Sequence, residues 1–122
     1  MAWFAASAIM YLKFKDGIQD VYPVWENVLL IEADSAEEAQ EKACRRAKED
    51  EGDSSGTNTW KGRSATWVFA GLRKLLTVAH PDLENQVLDG AEVTFSELEI
   101  TSQEDFDALV NGEDVRVLYC AD

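Results

Sequence analysis

The sequence has few of the residues on which catalytic and metal centres most often depend. Its 122 residues include one histidine, His80, and two cysteines, Cys44 and Cys120, which lie far apart. Any Ser-His-Asp or Cys-His arrangement would have to use His80, and a multi-histidine metal site cannot be built within one chain. The cysteines match neither a Cys-x-x-Cys redox pair nor a metal-ligand cluster. We interpret His80 as a solvated loop residue and expect both cysteines to be buried thiols, although two cysteines could form one disulfide.

Proline is scarce, with two residues, and the hydrophobic fraction is 46%. This composition favours a packed domain over a disordered chain. The apolar stretch at residues 1–12 is too short to cross a bilayer as a helix, and it lacks the basic start and the cleavage site of a secretory signal. We therefore expect one domain over residues 1–122, located in the cytoplasm.

Basic residues are scarcest in the last third of the chain. Residues 82–122 contain one, Arg116, against twelve acids, so this segment carries 12 − 1 = 11 of the 13 net negative charges. The other 81 residues hold twelve acids and ten bases and are almost neutral. This uneven field favours a partner with a basic surface and disfavours nucleic acid and anionic membranes.

The alternation of apolar and polar residues predicts a series of strands. The predicted strands cover residues 3–15, 22–33, 65–78, 91–100 and 115–120. Ser35 and Ser102 each precede a helical pattern and are typical N-cap residues. The order β-β-α-β-β-α-β predicts an α+β fold, with a mostly antiparallel sheet of about five strands and helices on one face. An apolar parity shift between Phe95 and Leu98 indicates a β-bulge in the strand at 91–100.

Several segments in sequence order resemble an uncharacterised bacterial family, domain of unknown function family 4288. The segments that carry the resemblance are Trp3-Phe4, Glu26, the run from Ile31 to Ala39, Trp67-Val68-Phe69 and the run from Asp89 to Val93. The resemblance covers roughly residues 3 to 100, and residues 101–122 look like a carboxyl-terminal extension. It implies a small cytoplasmic α+β domain, and it supplies no catalytic residues.

The most distinctive chemical group is an arginine between two tryptophans. Trp60, Arg63 and Trp67 could form a cation–π stack or a ligand platform with a charged anchor, and Trp25 with Glu26 could complete such a pocket. Packing of these aromatic residues in the core or at its rim is the alternative. We therefore predict Trp25, Glu26, Trp60, Arg63 and Trp67 as ligand- or partner-binding residues.

Carboxylates offer two further readings. Glu97 and Glu99 could face Glu26 and Glu32 across neighbouring strands and form acid–base pairs, although a charged, solvated sheet face is the ordinary explanation. The acidic run from Glu49 to Asp53 lacks the glycine and glutamate that an EF-hand loop requires. No catalytic set, metal site or cofactor is predicted.

These observations favour a non-enzymatic binding or protein-interaction module. Its partner would be a protein with a basic surface, or a second copy of the chain in a homodimer. One alternative is a small enzyme or ligand-binding domain with a pocket built from Trp25, Glu26, Trp60, Arg63 and Trp67. Another is an acidic inhibitor or immunity-type protein that mimics nucleic-acid charge, which requires the acids of residues 82–122 to share one surface.

Overall fold

A computed structural model of the chain describes residues 2–52, 58–78 and 89–120. In these residues an antiparallel sheet of six strands is combined with two helices, in the sheet order β3-β4-β1-β2-β5-β6. The strands are β1 (Ala2–Phe14), β2 (Tyr22–Ala33), β3 (Thr59–Trp60), β4 (Arg63–Val78), β5 (Ala91–Ile100) and β6 (Leu118–Tyr119). The helices are α1 (Ala36–Lys48) and α2 (Gln103–Val110). Neither helix has the length and apolar character needed to span a bilayer.

Strand β1 lies in the middle of the sheet and is buried on both faces. Phe4, Ala6, Ala8 and Met10 pack into one cluster with α1, whereas Ile9 belongs to a second cluster with α2. Successive side chains of a strand point to opposite faces. The two helices therefore cover opposite faces of the sheet, which we name the α1 face and the α2 face.

Helix α1 packs on the sheet through small side chains. Ser35 Oγ accepts a hydrogen bond from the amide of Glu38 at 3.1 Å and caps the helix. The residues buried on its inner side are Ala39, Ala43 and Ala47. Alanine at these positions lets the helix axis approach the sheet closely, because there is no long side chain to hold the two layers apart.

Helix α2 packs on the other face through one aromatic residue and one aliphatic residue. Ser102 Oγ accepts from the amide of Asp105 at 3.1 Å, and Phe106 and Leu109 are buried. The last turn of α2 approaches a bulged part of β4 closely. A Cβ atom at Gly71, which has φ +156°, would lie 2.9 Å from Cγ1 of Val110. The bulge is seen in the register with β1, which shifts between Ile9 and Met10, next to Gly71.

The predicted α+β class with an antiparallel sheet is confirmed, and the sheet has one strand more than the predicted number. The prediction that the helices share one face was wrong, because Ala8 and Ile9 of β1 contact different helices. Chain order alone does not determine which face a helix covers. The additional strand, β3, has two residues, too few to show an alternating pattern.

The β5 bulge exists, but it lies elsewhere than predicted. The register with β2 shifts between Val28 and Leu29, which leaves Val93 as the additional residue. Phe95 therefore keeps the regular alternation and faces away from Leu98, which is buried on the α2 face. The apolar parity shift in this strand reflects an exposed phenylalanine rather than an inserted residue.

Candidate functional site

Four aromatic residues meet on the α1 face, next to the carboxyl end of α1. This aromatic corner consists of Phe14, Trp25, Trp60 and Trp67. The rings of Trp25 and Trp67 pack edge to face with centroids 4.5 Å apart, and those of Phe14 and Trp60 lie 5.9 Å apart. Phe14 is buried and the three tryptophans are half-buried. The structure therefore brings together the three tryptophans that the sequence predicted as one group.

Arg63 joins the aromatic corner to the loop between β1 and β2. Its guanidinium group lies 3.7 Å from the ring centroid of Phe14. It donates to the Asp20 carboxylate at 2.7 Å, to the Asp16 carboxylate at 3.1 Å and to the carbonyl oxygen of Ile18 at 2.6 Å. These hydrogen bonds occupy Arg63 donors within the chain. Arg63 therefore links β4 to the loop rather than offering a free guanidinium group to a ligand.

The ion pairs of Arg63 are reflected in the protonation equilibria of the loop. The hydrogen bond from Arg63 lowers the pKa of Asp20 below its usual value, and the same bond, with the help of Asp16, raises the pKa of Arg63. Sequence reasoning missed both aspartates as partners of Arg63. Asp16 and Asp20 lie more than forty residues from Arg63 in the chain. The only sequence signal was that the loop between β1 and β2 contains two acids, which suggests a basic partner.

Glu26 does not join the aromatic corner. Trp25 lies opposite Met10 on the α1 face, whereas Glu26 lies opposite Ile9 on the α2 face. The predicted pocket of five residues therefore reduces to Trp25, Trp60, Arg63 and Trp67. The alternation of β2 contained this signal, since adjacent strand residues cannot line the same face.

The carboxylate pairs considered from the sequence do not form either. Glu97 lies opposite Trp25 and Glu99 lies opposite Pro23, which puts both glutamates on the α1 face. Glu26 faces the other side of the sheet. Carboxylates separated by the sheet cannot share a substrate or a proton. Within the described residues, no group of three or more histidine, cysteine, aspartate and glutamate side chains is arranged to hold a metal ion.

The remaining sequence predictions of reactive groups concern His80 and the cysteines. His80 lies outside the described residues. Cys44 and Cys120 are half-buried rather than buried, and they do not form a disulfide with each other.

The acidic part of the chain lies partly at the sheet edge opposite β3, in β5 and β6, and partly on the α2 face, where α2 packs against β4 and β5. We call residues 89–120, which include β5, α2 and β6, the acidic edge. They contain nine acidic residues and one basic residue, Arg116. Lys42 pairs with Asp89, and Lys61 approaches Glu99 at 4.0 Å. The excess negative charge of this edge is therefore mostly uncompensated by the ion pairs found within the described residues.

Large apolar side chains are exposed within the same acidic edge. The four most exposed are Val93 (54%), Phe95 (53%), Leu118 (63%) and Tyr119 (62%). Phe95 and Leu118 lie on the α1 face, whereas Tyr119 lies opposite Leu98 on the α2 face. Exposed apolar residues within charged surface are typical of interaction sites. Sequence reasoning missed these residues because it joined Phe95 to the apolar pattern of Leu98 through a bulge and placed Leu118 and Tyr119 inside a longer strand over residues 115–120.

Comparison with known proteins gives one result. The profile of a family described as Domain of unknown function (DUF4288) matches residues 3–95, which are 93 of the 122 residues. No curated protein and no solved structure matches the chain. The matched region runs from β1 into β5, and α2 and β6 follow it. The resemblance recognised in the sequence is thereby confirmed: the chain belongs to the DUF4288 family.

Proposed function

We propose that this protein is a non-enzymatic interaction module that binds a protein with a basic surface through its acidic edge. The observation that carries the proposal is the exposure of Val93, Phe95, Leu118 and Tyr119 in a segment with nine acids and one base. Charge complementarity would guide the encounter, and the apolar groups would supply contact area that is desolvated on binding. The partner would be met in the cytoplasm, the compartment that the sequence predicts.

Two other partners or functions are less well supported. In a homodimer joined through this edge, two chains of net charge −13 would bring their most acidic segments together, and such like-charge contacts are destabilising. A ligand pocket at the aromatic corner would have to do without Glu26, which faces the other side of the sheet, and would compete with Asp16 and Asp20 for Arg63.

An acidic inhibitor or immunity-type protein is the second candidate. It is less well supported, because the acids do not share one surface: Glu92, Glu97 and Glu99 of β5 lie on the α1 face, whereas α2 covers the α2 face. In this case the basic partner would itself bind nucleic acid. Competition separates the two candidates, because double-stranded DNA should displace this protein from such a partner and should have no effect on a partner that lacks a nucleic-acid site.

The test of the main proposal is binding to a basic globular protein, lysozyme, measured by calorimetry from 20 to 300 mM salt. We expect an affinity that falls steeply with salt, because exposed charges are screened over a Debye length of about 10 Å at 0.1 M. A triple variant of β5, Glu92→Gln, Glu97→Gln and Glu99→Gln, changes three carboxylates on one face and should weaken binding at low salt.

The matched control changes the same number of charges on the far side of α1. Glu37, Glu38 and Glu41 are exposed there, and their replacement by Gln should alter binding much less than the edge variant does. Equal effects of the two triple variants would show that net charge alone attracts the basic protein. The absence of any binding at 20 mM salt would remove the proposal.

A further inference from the structure

The outer side of β5 between residues 92 and 96 is the part of the acidic edge best suited to a defined contact. We propose that an extended segment of the basic partner adds to the sheet here as a further strand. This inference rests on the proposed function and specifies how the partner binds. Strand addition uses main-chain hydrogen bonds for affinity and alternate side chains for specificity.

The described residues cover the outer side of β5 only at its carboxyl end. β6 pairs with Leu98 and Glu99, and the amide of Cys120 donates to the carbonyl oxygen of Glu97 at 2.9 Å. Residues 92–95 are all exposed. In an antiparallel ladder, main-chain groups point outward at every second residue. Because Glu97 points outward, the N–H and C=O groups of Phe95 also point away from β2.

At the opposite edge of the sheet, the described residues cover β4 between Arg63 and Phe69. Trp67 of β4 exchanges hydrogen bonds with Gly52, the amide of Ala65 donates to Asn58, and the amide of Phe69 donates to the carboxylate of Glu51. Proteins commonly cover or interrupt exposed strand edges because such edges attract other strands. In the described residues, β5 carries an uncovered stretch that also exposes a phenylalanine, and we interpret it as a binding edge.

The side chains along this stretch define the chemistry of the incoming segment. Glu92, Phe95 and Glu97 lie opposite Leu29, Asn27 and Trp25, which places all three on the α1 face. An added strand would present its own alternate side chains to this row. A segment with a basic, an apolar and a basic residue at alternate positions would place its apolar residue beside Phe95 and its cations beside the two glutamates.

A second copy of β5 does not fit this row. Antiparallel pairing of two such edges around Phe95 would place Glu92 and Glu97 of one chain near the same residues of the other, and like charges opposite each other destabilise a ladder. The additional residue at Val93 also twists the strand locally, a feature that disfavours edge-to-edge pairing between copies.

The experiment uses the full chain and three synthetic peptides. One nine-residue peptide carries lysine, valine, lysine, valine and lysine at its odd positions and threonine at its even positions, so that basic and apolar residues alternate along one face. The control peptides have the same sequence and charge, but the amides along one edge are N-methylated. Strand addition predicts that the unmodified peptide binds at least roughly tenfold more tightly, because each lost main-chain hydrogen bond weakens binding several-fold. Two such control peptides are used, one methylated along each edge, so that both orientations of the added strand are tested.

Substitutions of Phe95 provide the corresponding test on the protein. Phe95→Ala removes the side chain, and Phe95→Pro also removes the outward N–H, which an edge strand tolerates. We expect Phe95→Pro to bind the unmodified peptide more weakly than Phe95→Ala does. The control is Ile18→Ala, which truncates an apolar residue exposed at the far end of the sheet. This variant should bind the peptide as the parent chain does. Because the proline variant could unfold, amide exchange at Phe95 in the parent chain is measured as well and should slow when the peptide binds.

The outcomes separate this inference from the proposed function. Equal binding of all peptides, without protection of the Phe95 amide, would overturn strand addition and leave the charge-driven module in place. No binding of any peptide at 20 mM salt would count against both. A peptide-free dimer that Phe95→Pro dissociates would assign the edge to a second copy and overturn the inference.

Discussion

The docking of α2 on the sheet depends on Phe106, and its replacement by alanine gives the sharpest test of the fold. Phe106 is 9% exposed, and its ring stacks on Tyr22 at 4.4 Å and meets Tyr11 edge to face at 4.9 Å. Burial of about 150–200 Å² at about 25 cal/mol/Å² corresponds to about 4–5 kcal/mol. Alanine keeps part of this area and α2 can partly settle, so we expect Phe106→Ala to lower the free energy of unfolding by about 3–4 kcal/mol.

Urea denaturation followed by far-ultraviolet circular dichroism measures this loss. A domain of this kind has a total stability of about 5–15 kcal/mol, so the variant should remain folded in water with a clearly lower midpoint and an unchanged dependence on urea. Asp107→Ala, at an exposed position of the same helix, should change stability by less than about 0.5 kcal/mol. A loss below about 1 kcal/mol for Phe106→Ala would refute the packing of α2 on this face.

Three further predictions concern the helices and Tyr11. Ala43→Leu should destabilise the chain by about 1–3 kcal/mol in the same urea assay, because a larger side chain does not fit between α1 and the sheet; Gln40→Leu, at an exposed position of α1, is the control and should be nearly neutral. Ser102→Ala should cost about 1 kcal/mol through loss of the cap on the Asp105 amide, and an unchanged midpoint would contradict this role. Burial, and secondly the neighbouring Tyr22, raise the pKa of Tyr11 above 10. The contribution of the protonated Tyr11 to stability is therefore complete below the unfolded pKa of about 10 and is lost as the pH rises through the higher folded pKa. Melting temperatures between pH 9 and 12 should fall less steeply in Tyr11→Phe than in the parent chain. Identical slopes in the two proteins would argue against a raised pKa of Tyr11.

The local elements could be predicted well from the sequence. The predicted bounds of β2 agree with those observed, and Ser35 and Ser102 cap their helices as expected. These features depend on residues a few positions apart, since alternation and capping are local interactions. Sequence order and spacing also identified the family, which the profile match to residues 3–95 confirms.

The candidate site could be predicted only in part. Trp25, Trp60 and Trp67 were recognised as a group, but the partners of Arg63 lie in a loop that is distant in sequence. Residues 101–122 were interpreted as an extension of the family core, yet Phe106 and Leu109 belong to a core cluster with Ile9 and Val24. Only the pairing of β1 with both of its neighbours and the return of α2 onto the sheet bring these residues together.

The sequence by itself determined most of the secondary structure, the family and the concentration of negative charge in the last third of the chain. The tertiary structure decided which face each helix covers, which carboxylates the sheet keeps apart and which strand has an uncovered edge with Phe95 exposed. The physical reason is that a strand pattern specifies two faces without saying what covers them. That choice depends on contacts between residues far apart in the chain, and these exist only in the folded molecule.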